Sequence, residues 1–210
     1  MVKFPIRRIA FTTPKEERAR LVEKGKRLYQ EFLKTKDPVP ILVLVERCLP
    51  KDDEDNFIQE EEKSDVVHDL LAFLAEQMIE LNKEKQAKIS EFLEWLEVEL
   101  KVKPDKKGNT GIDALSGKTK LRNFLGDYQK GEGSLPFDEL WTILRKNKTR
   151  IARNLSPSFM QEVKRAYEES LSALFPIKEK LRLTDSLIDR IVYRLYGLTE
   201  EEIGIVEEQG

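Results

Sequence analysis

The sequence has few of the residues that build disulfides, metal centres and membrane spans. Cys48 is the only cysteine and His68 the only histidine among 210 residues. A single cysteine cannot form an intramolecular disulfide, and a single histidine cannot form a multi-histidine metal site. No stretch approaches the roughly 20 apolar residues of a membrane span, and the N-terminus lacks the apolar run of a signal peptide. These absences predict a soluble cytoplasmic protein with no membrane contact.

The chain also lacks an excess of charge of either sign. It has 37 basic and 39 acidic residues, so that the formal net charge is −2. A domain that binds nucleic acid through its overall charge is strongly basic, and any DNA contact here must therefore come from a local patch. Charged residues make up 36% of the sequence, which is typical of long helices with paired Glu and Lys on their exposed faces.

The hydrophobic pattern predicts an all-α protein, an irregular multi-helix array with one long central helix. Apolar residues recur three and four positions apart through most of the chain, and the longest such segment is 64–101. Five consecutive apolar residues, 41–45, fit either a buried short helix or a strand, and their helical neighbours favour the helix. Residues 1–13 mix β-branched and aromatic residues with a proline, which predicts an extended arm or a single strand.

Two helical subdomains are expected after this arm. The first, 14–101, contains the long helix and an acidic loop, 51–63, that carries seven carboxylates. The second subdomain, 102–210, ends in a helical hairpin at 184–207. We expect the acidic loop to be exposed and mobile, because it has almost no apolar residue to bury.

The hairpin 184–207 has clear start and stop signals. Thr184 is expected to cap the first of its two helices, and Gly197 to end that helix in a left-handed conformation. Thr199 and Glu202 have the spacing of a capping box, in which each side chain bonds the backbone of the other residue. The pattern predicts a structural element and gives no indication of catalysis.

Three features resemble parts of catalytic sites, and each departs from the pattern that its chemistry needs. The segment "GIDALSGKT", 111–119, has five residues between its glycines where a phosphate loop has four, and no strand precedes it; Gly117 is interpreted instead as a helix C-cap before a basic turn. The acidic loop offers carboxylates for a magnesium nuclease but no rigid scaffold to fix them. His68 lacks a nucleophile motif and is interpreted as structural and partly buried. We predict no catalytic residue, no metal ligand and no cofactor in this chain.

A basic cluster is the strongest candidate for a binding site. The segment "RKNKTRIAR", 145–153, has five basic residues in nine, and such a cluster can contact DNA phosphates without reading base sequence. It also fits an ordinary helix end, where cations interact favourably with the dipole. Nearby aromatic residues such as Trp141 are interpreted as core rather than base-stacking platforms. The candidate phosphate-binding residues are Arg145, Lys146, Lys148, Arg150 and Arg153, with Lys118, Lys120, Arg122, Arg7 and Arg8 as additions.

Four long phrases resemble the C-terminal region of type IIG restriction–modification proteins. The clearest is "LRLTDSLIDRIVYRLYGLTEEEIGIVE", 181–207, and segments 5–29, 64–97 and 115–131 are similar to that region in the same order. In these proteins an adenine-N6 DNA methyltransferase domain is followed by a target-recognition domain and then by a helical tail. The resemblance covers nearly the whole chain and is to the tail.

The resemblance implies a role but no catalytic residue. The family's methyltransferase has an Asn-Pro-Pro-aromatic motif that holds the target adenine and a glycine-rich turn for S-adenosylmethionine, and neither occurs in this sequence. S-adenosylmethionine is therefore expected on a methyltransferase part outside this chain. The implied role is a non-catalytic helical module that supports DNA binding or target recognition. Its expected partners are a methyltransferase or target-recognition domain, and DNA.

Two other functions remain open. In the first, the chain is a protein-interaction subunit that docks on a separately encoded methyltransferase without contacting DNA. The polar middle of the long helix, the N-terminal arm and the hairpin suit such docking. In the second, it is an independent enzyme such as a degenerate nuclease, for which the acidic loop is the only support.

Overall fold

The computed structural model describes residues 7–209, without the side chains of the last two. Within that range the chain is all-α, which confirms the predicted fold class, and the only β pairing is two isolated bridges. No helix in the described range is both long enough and apolar enough to cross a membrane. The helices are α1 Lys15–Thr35, α2 Val39–Cys48, α3 Ser64–Leu100, α4 Lys118–Arg122, α5 Phe137–Lys146, α6 Pro157–Tyr196 and α7 Glu200–Gln209, with a 3₁₀ turn at Gly111–Ala114.

The chain divides into two compact units whose borders differ from those of the predicted subdomains. Unit 1 combines the residues up to Ile79 with those from Leu183 onward, and unit 2 is Glu80–Arg182. Both long helices, α3 and α6, therefore contribute residues to both units. Because a continuous helix carries its apolar repeat across such a border, the sequence pattern does not mark it. The polar stretch 82–88, which has no buried residue, lies next to the border in α3.

The core of unit 1 is formed by α1, α2, the first part of α3 and the last part of α6. Tyr29, Ile41, Leu74 and Ile191 are at most 1% exposed within it. Gly25 lets α1 approach α3 closely, since a Cβ at this position would lie 2.9 Å from a methyl group of Leu70. The run of apolar residues at 41–45 lies within α2, as expected from its helical neighbours.

The structure corrects the predicted helix start at Thr184. Helix α6 is continuous from Pro157 and has Pro176 inside it, so that Thr184 is an interior residue. Thr184 is fully buried, and its hydroxyl shares a 2.8 Å hydrogen bond with the hydroxyl of Tyr29. The helix continues past Pro176 because buried Leu174, Ile177 and Leu181 keep one apolar face in register, and their packing outweighs the lost backbone hydrogen bond.

The acidic segment 51–63 is a hydrogen-bonded turn of unit 1. Asp52 accepts hydrogen bonds from the backbone N–H groups of Glu54 and Asn56, each at 2.9 Å, and the Asn56 bond is the largest cause that lowers the pKa of this carboxyl. Phe57 anchors the segment, with the Arg7 guanidinium carbon 4.1 Å from its ring centroid. Arg7 also pairs with Glu62 at 2.6 Å. Local hydrogen bonds and a cation–π contact thus fix a segment that has little apolar content.

The C-terminal hairpin has the expected caps. Gly197 follows α6 with a φ of 66°, and the backbone N–H of Leu198 donates to the carbonyl of Tyr193 at 3.0 Å. The capping box is confirmed, because the Thr199 N–H donates to the Glu202 carboxylate at 2.9 Å and the Glu202 N–H donates to the Thr199 hydroxyl at 3.3 Å.

Substitution of Gly197 by valine is expected to destabilise unit 1 by about 1–2 kcal/mol, because a side chain disfavours the left-handed conformation. The new Cβ would also lie 2.9 Å from the ring of Phe57. Urea unfolding followed by circular dichroism measures the loss. Gly204→Val is the control, since a Cβ there meets no atom within 4 Å. Equal stability of the two variants would show that Gly197 does not act as the cap.

The core of unit 2 is formed by the last part of α3, by α4 and α5, and by the first part of α6. Leu96, Leu121, Leu140 and Leu144 are fully buried in it. Gly117 is not the predicted helix C-cap: it is the N-cap of α4, with a φ of 86°. No α-helix ends at Gly117, because the element before it is the 3₁₀ turn Gly111–Ala114. The basic residues after Gly117 lie on α4 rather than in a turn. This core positions the basic cluster at the ends of α3 and α5.

Candidate nucleic-acid interface

The basic cluster 145–153 begins on α5 and continues into the turn before α6. Arg145 and Lys146 lie in the last turn of α5 and are exposed. Lys148 is exposed in the turn, and Arg150 is partly exposed. Helix α5 ends here in a tighter turn. The Asn147 N–H donates at 3.0 Å to the carbonyl of Leu144, three residues earlier, instead of four residues earlier as in an α-helix. Only the first two cations can interact with the helix dipole, so the dipole does not account for the others.

Asn147 fixes the turn on which the cations stand. Its side chain is 5% exposed, and its amide donates to the carbonyls of Ser116, at 3.0 Å, and Ile143, at 2.8 Å. The amide oxygen accepts from the N–H and the hydroxyl of Ser116, at 3.0 and 3.1 Å. Loss of these bonds would leave buried polar groups unsatisfied. Asn147 is therefore a positioning residue, and no local sequence pattern indicates this role.

Backbone pairing brings a second basic segment to the cluster. Val102 forms an antiparallel bridge with Ile151, and the N–H of Lys103 donates to the Arg150 carbonyl at 2.9 Å. This pairing follows the end of α3 and leads into a loop whose lysines are exposed. Lys107 lines a surface depression together with residues of the basic cluster. The added cations are Lys101, Lys103, Lys106 and Lys107.

Several of the predicted cations are balanced by carboxylates. Arg122 forms a bidentate pair with Asp113, at 3.1 and 2.8 Å, and this contact lowers the pKa of the Asp113 carboxyl. Lys118 lies 3.9 Å from the same carboxylate, and Lys120 pairs with Glu139. The three additions from α4 are thus brought to unit 2's surface but are already paired.

Arg153 lies close to carboxylates, and the two N-terminal arginines belong to unit 1 rather than to the basic cluster of unit 2. Arg153 lies 3.9 Å from Glu99, 3.6 Å from Glu162 and 5.0 Å from the centre of the Phe159 ring. Arg7 pairs with Glu62 in unit 1, and Arg8 is exposed in the same unit.

Eight cations of the two segments carry no ion pair within the part of the chain that the structure describes. We call them the cationic patch: Lys101, Lys103, Lys106, Lys107, Arg145, Lys146, Lys148 and Arg150. The one carboxylate inside the two segments, Asp105, accepts a 2.8 Å hydrogen bond from the Asn109 amide. That bond is the main cause of its lowered pKa, and Arg150 lowers it further. The patch is therefore a local excess of positive charge on a chain whose net charge is slightly negative.

An open groove of about 1170 Å³ adjoins the patch. Its lining includes Arg145, Lys146 and Lys148, and also Ser156 and Pro157 at the N-terminus of α6. Ser156 accepts a 3.2 Å hydrogen bond from the Phe159 N–H, as an N-cap does. The positive end of the α6 dipole and the cations favour an anion at the same place. Trp141 packs against the core as expected, and it also lines this groove, partly exposed.

The other motifs of the sequence form no comparable site. In the segment 111–119 the N–H of Ile112 donates to the Glu97 carboxylate at 2.9 Å, so this backbone donor is already used within the fold. His68 is exposed rather than partly buried; it lies 3.2 Å from Asp69 and contacts the edge of Phe11. No group of three or more metal-ligating side chains is found among the residues that the structure describes.

The fold and the groove define an all-α protein with a cationic groove on unit 2. The chain belongs to the family described as a domain of unknown function, DUF8810, whose model matches residues 60–192. That match covers more than half of the 210 residues and includes both basic segments. A search of the curated proteins and a search of the solved structures each found no match.

Proposed function

We propose that the chain is a non-catalytic helical module that binds DNA through its phosphates. The observation that carries this proposal is the cationic patch, in which eight cations that form no ion pair with any described residue lie on two segments joined by backbone pairing. Like charges held close together repel one another, and an anionic partner relieves that repulsion. A nucleic-acid backbone supplies a row of such anions, and neutralising them releases condensed counterions.

The experiment that tests DNA binding uses the wild-type chain and fluorescein-labelled 20-mers, one single-stranded and one duplex. Fluorescence anisotropy is measured from about 50 to about 200 mM salt, and each phosphate contact is expected to contribute about 0.7–0.9 to the slope of log K against log salt. We expect binding that weakens steeply with salt. Absence of binding to both probes at the lowest salt, or binding independent of salt, would contradict the proposal.

The wider role that we propose is within a restriction–modification system in the cytoplasm. The support is the resemblance of segments such as 181–207 to the tail of type IIG methyltransferases, together with the local positive charge. In this role the methyltransferase part, outside these residues, supplies S-adenosylmethionine and the methyl transfer. Expression of this chain alone should then leave the N6-methyladenine content of plasmid DNA unchanged by mass spectrometry. An increase in N6-methyladenine content would contradict the non-catalytic assignment.

A protein-interaction subunit is the second candidate, and exposed apolar residues of unit 1 favour it. Val39 and Val43 lie one turn apart on α2 and are 58% and 37% exposed, and Ile205 and Val206 on α7 are about half exposed. Exposed apolar positions of this kind are common at protein contacts. Stable co-purification with a separately encoded methyltransferase, combined with no retention on DNA by this chain, would favour this function over the first.

A further inference from the structure

We infer that the groove beside the cationic patch takes unpaired DNA bases, with Trp141 as the surface on which a base stacks. This inference rests on the proposed DNA binding and names the form of DNA that the site takes. It makes the module a binder of single-stranded segments in preference to duplex. The inference is carried by the composition of the groove and by the position of one indole ring.

Trp141 and Arg145 present their side chains on one face of α5. They are four residues apart, which places them one turn above each other, and both line the groove. The indole is partly exposed, and its N–H has no hydrogen-bond partner within the described part of the chain. A partly exposed ring one turn from a cation without an ion pair can contact the base and the phosphate of one nucleotide.

The ring of Trp141 is fixed by contacts with two other aromatic rings. It stacks on Phe137 with ring centroids 6.4 Å apart and planes 19° apart, and it lies 6.4 Å from Phe159. Phe159 is in turn fully buried and covered by the Arg153 guanidinium. A ring fixed in this way loses little freedom when a base binds, so it is a suitable stacking platform.

The remaining lining of the groove separates single-stranded from duplex DNA. Leu155, Pro157 and Met160 give the groove an apolar part beside the cations. A duplex presents phosphates and sugars at its surface and keeps the faces of its bases stacked inside. Only an unpaired base can cover the apolar part while its phosphate reaches Arg145 or Lys148. Base–aromatic stacking is also tolerant of sequence, so no base preference follows.

Trp95 is a matched control for Trp141 within the same core. It is the only other tryptophan, it is also partly buried, and it stacks on Phe92 at 6.1 Å. Trp95 does not line the groove. Its replacement by phenylalanine leaves Trp141 as the sole tryptophan, so that the fluorescence of that variant reports on the groove alone.

The test compares a labelled (dT)20 strand with a 20-base-pair duplex by anisotropy, for the wild type, Trp141→Leu and Trp95→Leu. We expect Trp141→Leu to lose about 10-fold in affinity for the single strand, with the duplex affinity and the salt slope unchanged. Trp95→Leu should leave both affinities unchanged. In Trp95→Phe, addition of unlabelled (dT)20 should quench the Trp141 fluorescence, and this measurement needs no variant of Trp141.

The outcomes separate the inference from the function on which it rests. Salt-dependent binding with equal affinity for both probes and no quenching would overturn base stacking and leave phosphate binding intact. If neither the single strand nor the duplex binds, base stacking and phosphate binding are both overturned. If Trp141→Leu does not fold by circular dichroism, quenching in Trp95→Phe and the ratio of single-strand to duplex affinity in the wild type decide the question.

Discussion

Replacement of Arg145, Lys146 and Lys148 by glutamine is expected to lower the affinity for DNA about 500-fold at about 0.1 M salt. Each phosphate contact that is lost reduces the slope of log K against log salt by about 0.9 for duplex DNA. Three lost contacts therefore flatten the slope by about 2.7, and the factor at tenth-molar salt follows from that difference. Glutamine keeps the length and polarity of the side chains, so the change measured by anisotropy is one of charge.

The matched control is the triple variant Lys118→Gln, Lys120→Gln and Arg122→Gln. It also removes three positive charges from unit 2, but these three cations already pair with Asp113 and Glu139. We expect it to change DNA affinity only a few-fold, through net charge. If both triple variants lose the same affinity, the overall charge of unit 2 and not the cationic patch determines binding. If neither does, DNA contacts another surface.

The basic run at 145–153 could be predicted from the sequence, because its residues are neighbours along the chain. Half of the cationic patch could not. Lys103 and Lys107 join it through the pairing of Val102 with Ile151, a contact that spans about a quarter of the chain and leaves no local signal. The local hint is that the turn-rich segment 103–111 contains three lysines, but a run of lysines in a loop does not indicate which other segment it lies beside.

The sequence also does not show which of its cations form ion pairs within the fold. The acidic residue nearest to Arg122 in the sequence is Asp127. The residue that forms a bidentate pair with Arg122 is instead Asp113, across the turn before α4. Asn147 was an unremarkable residue inside a basic run and proves to be the buried link to Ser116. Local pattern indicates which charges exist, whereas tertiary contacts decide which of them remain available to a ligand.

The helices themselves followed the local pattern wherever burial and propensity agree. The apolar repeat at 64–101 predicts α3 to within a residue of its end at Leu100. A local signal is misleading where a long-range contact competes with it. Thr13 stands before Pro14 in a pattern typical of an N-cap, but Pro14 is the cap of α1, and the Thr13 hydroxyl donates to Asp65 at 2.6 Å. The partner of Thr13 lies in another helix, outside the range of any local signal.

Asp65 is accordingly expected to be the most sensitive polar residue of unit 1. It is fully buried at the start of α3, and its carboxylate accepts hydrogen bonds from the N–H and the hydroxyl of Thr13, at 3.0 and 2.6 Å. The Arg18 guanidinium lies 3.8 Å away. Replacement by alanine removes the acceptor, leaves two buried donors unsatisfied and takes away one of the two carboxylates that face Arg18. We expect a loss of about 3 kcal/mol in the free energy of unfolding.

Asp69→Ala separates this effect from the loss of a charge on α3. Asp69 lies one turn further along, pairs with the same Arg18 at 3.2 Å and is 33% exposed. Because solvent screens an exposed pair, we expect its loss to cost less than about 1 kcal/mol. Asp65→Asn should fall between the two, since an amide keeps one acceptor but not the charge. Urea denaturation of the three variants measures the order, and equal losses for Asp65→Ala and Asp69→Ala would mean that Thr13 gains nothing from Asp65 beyond what water offers.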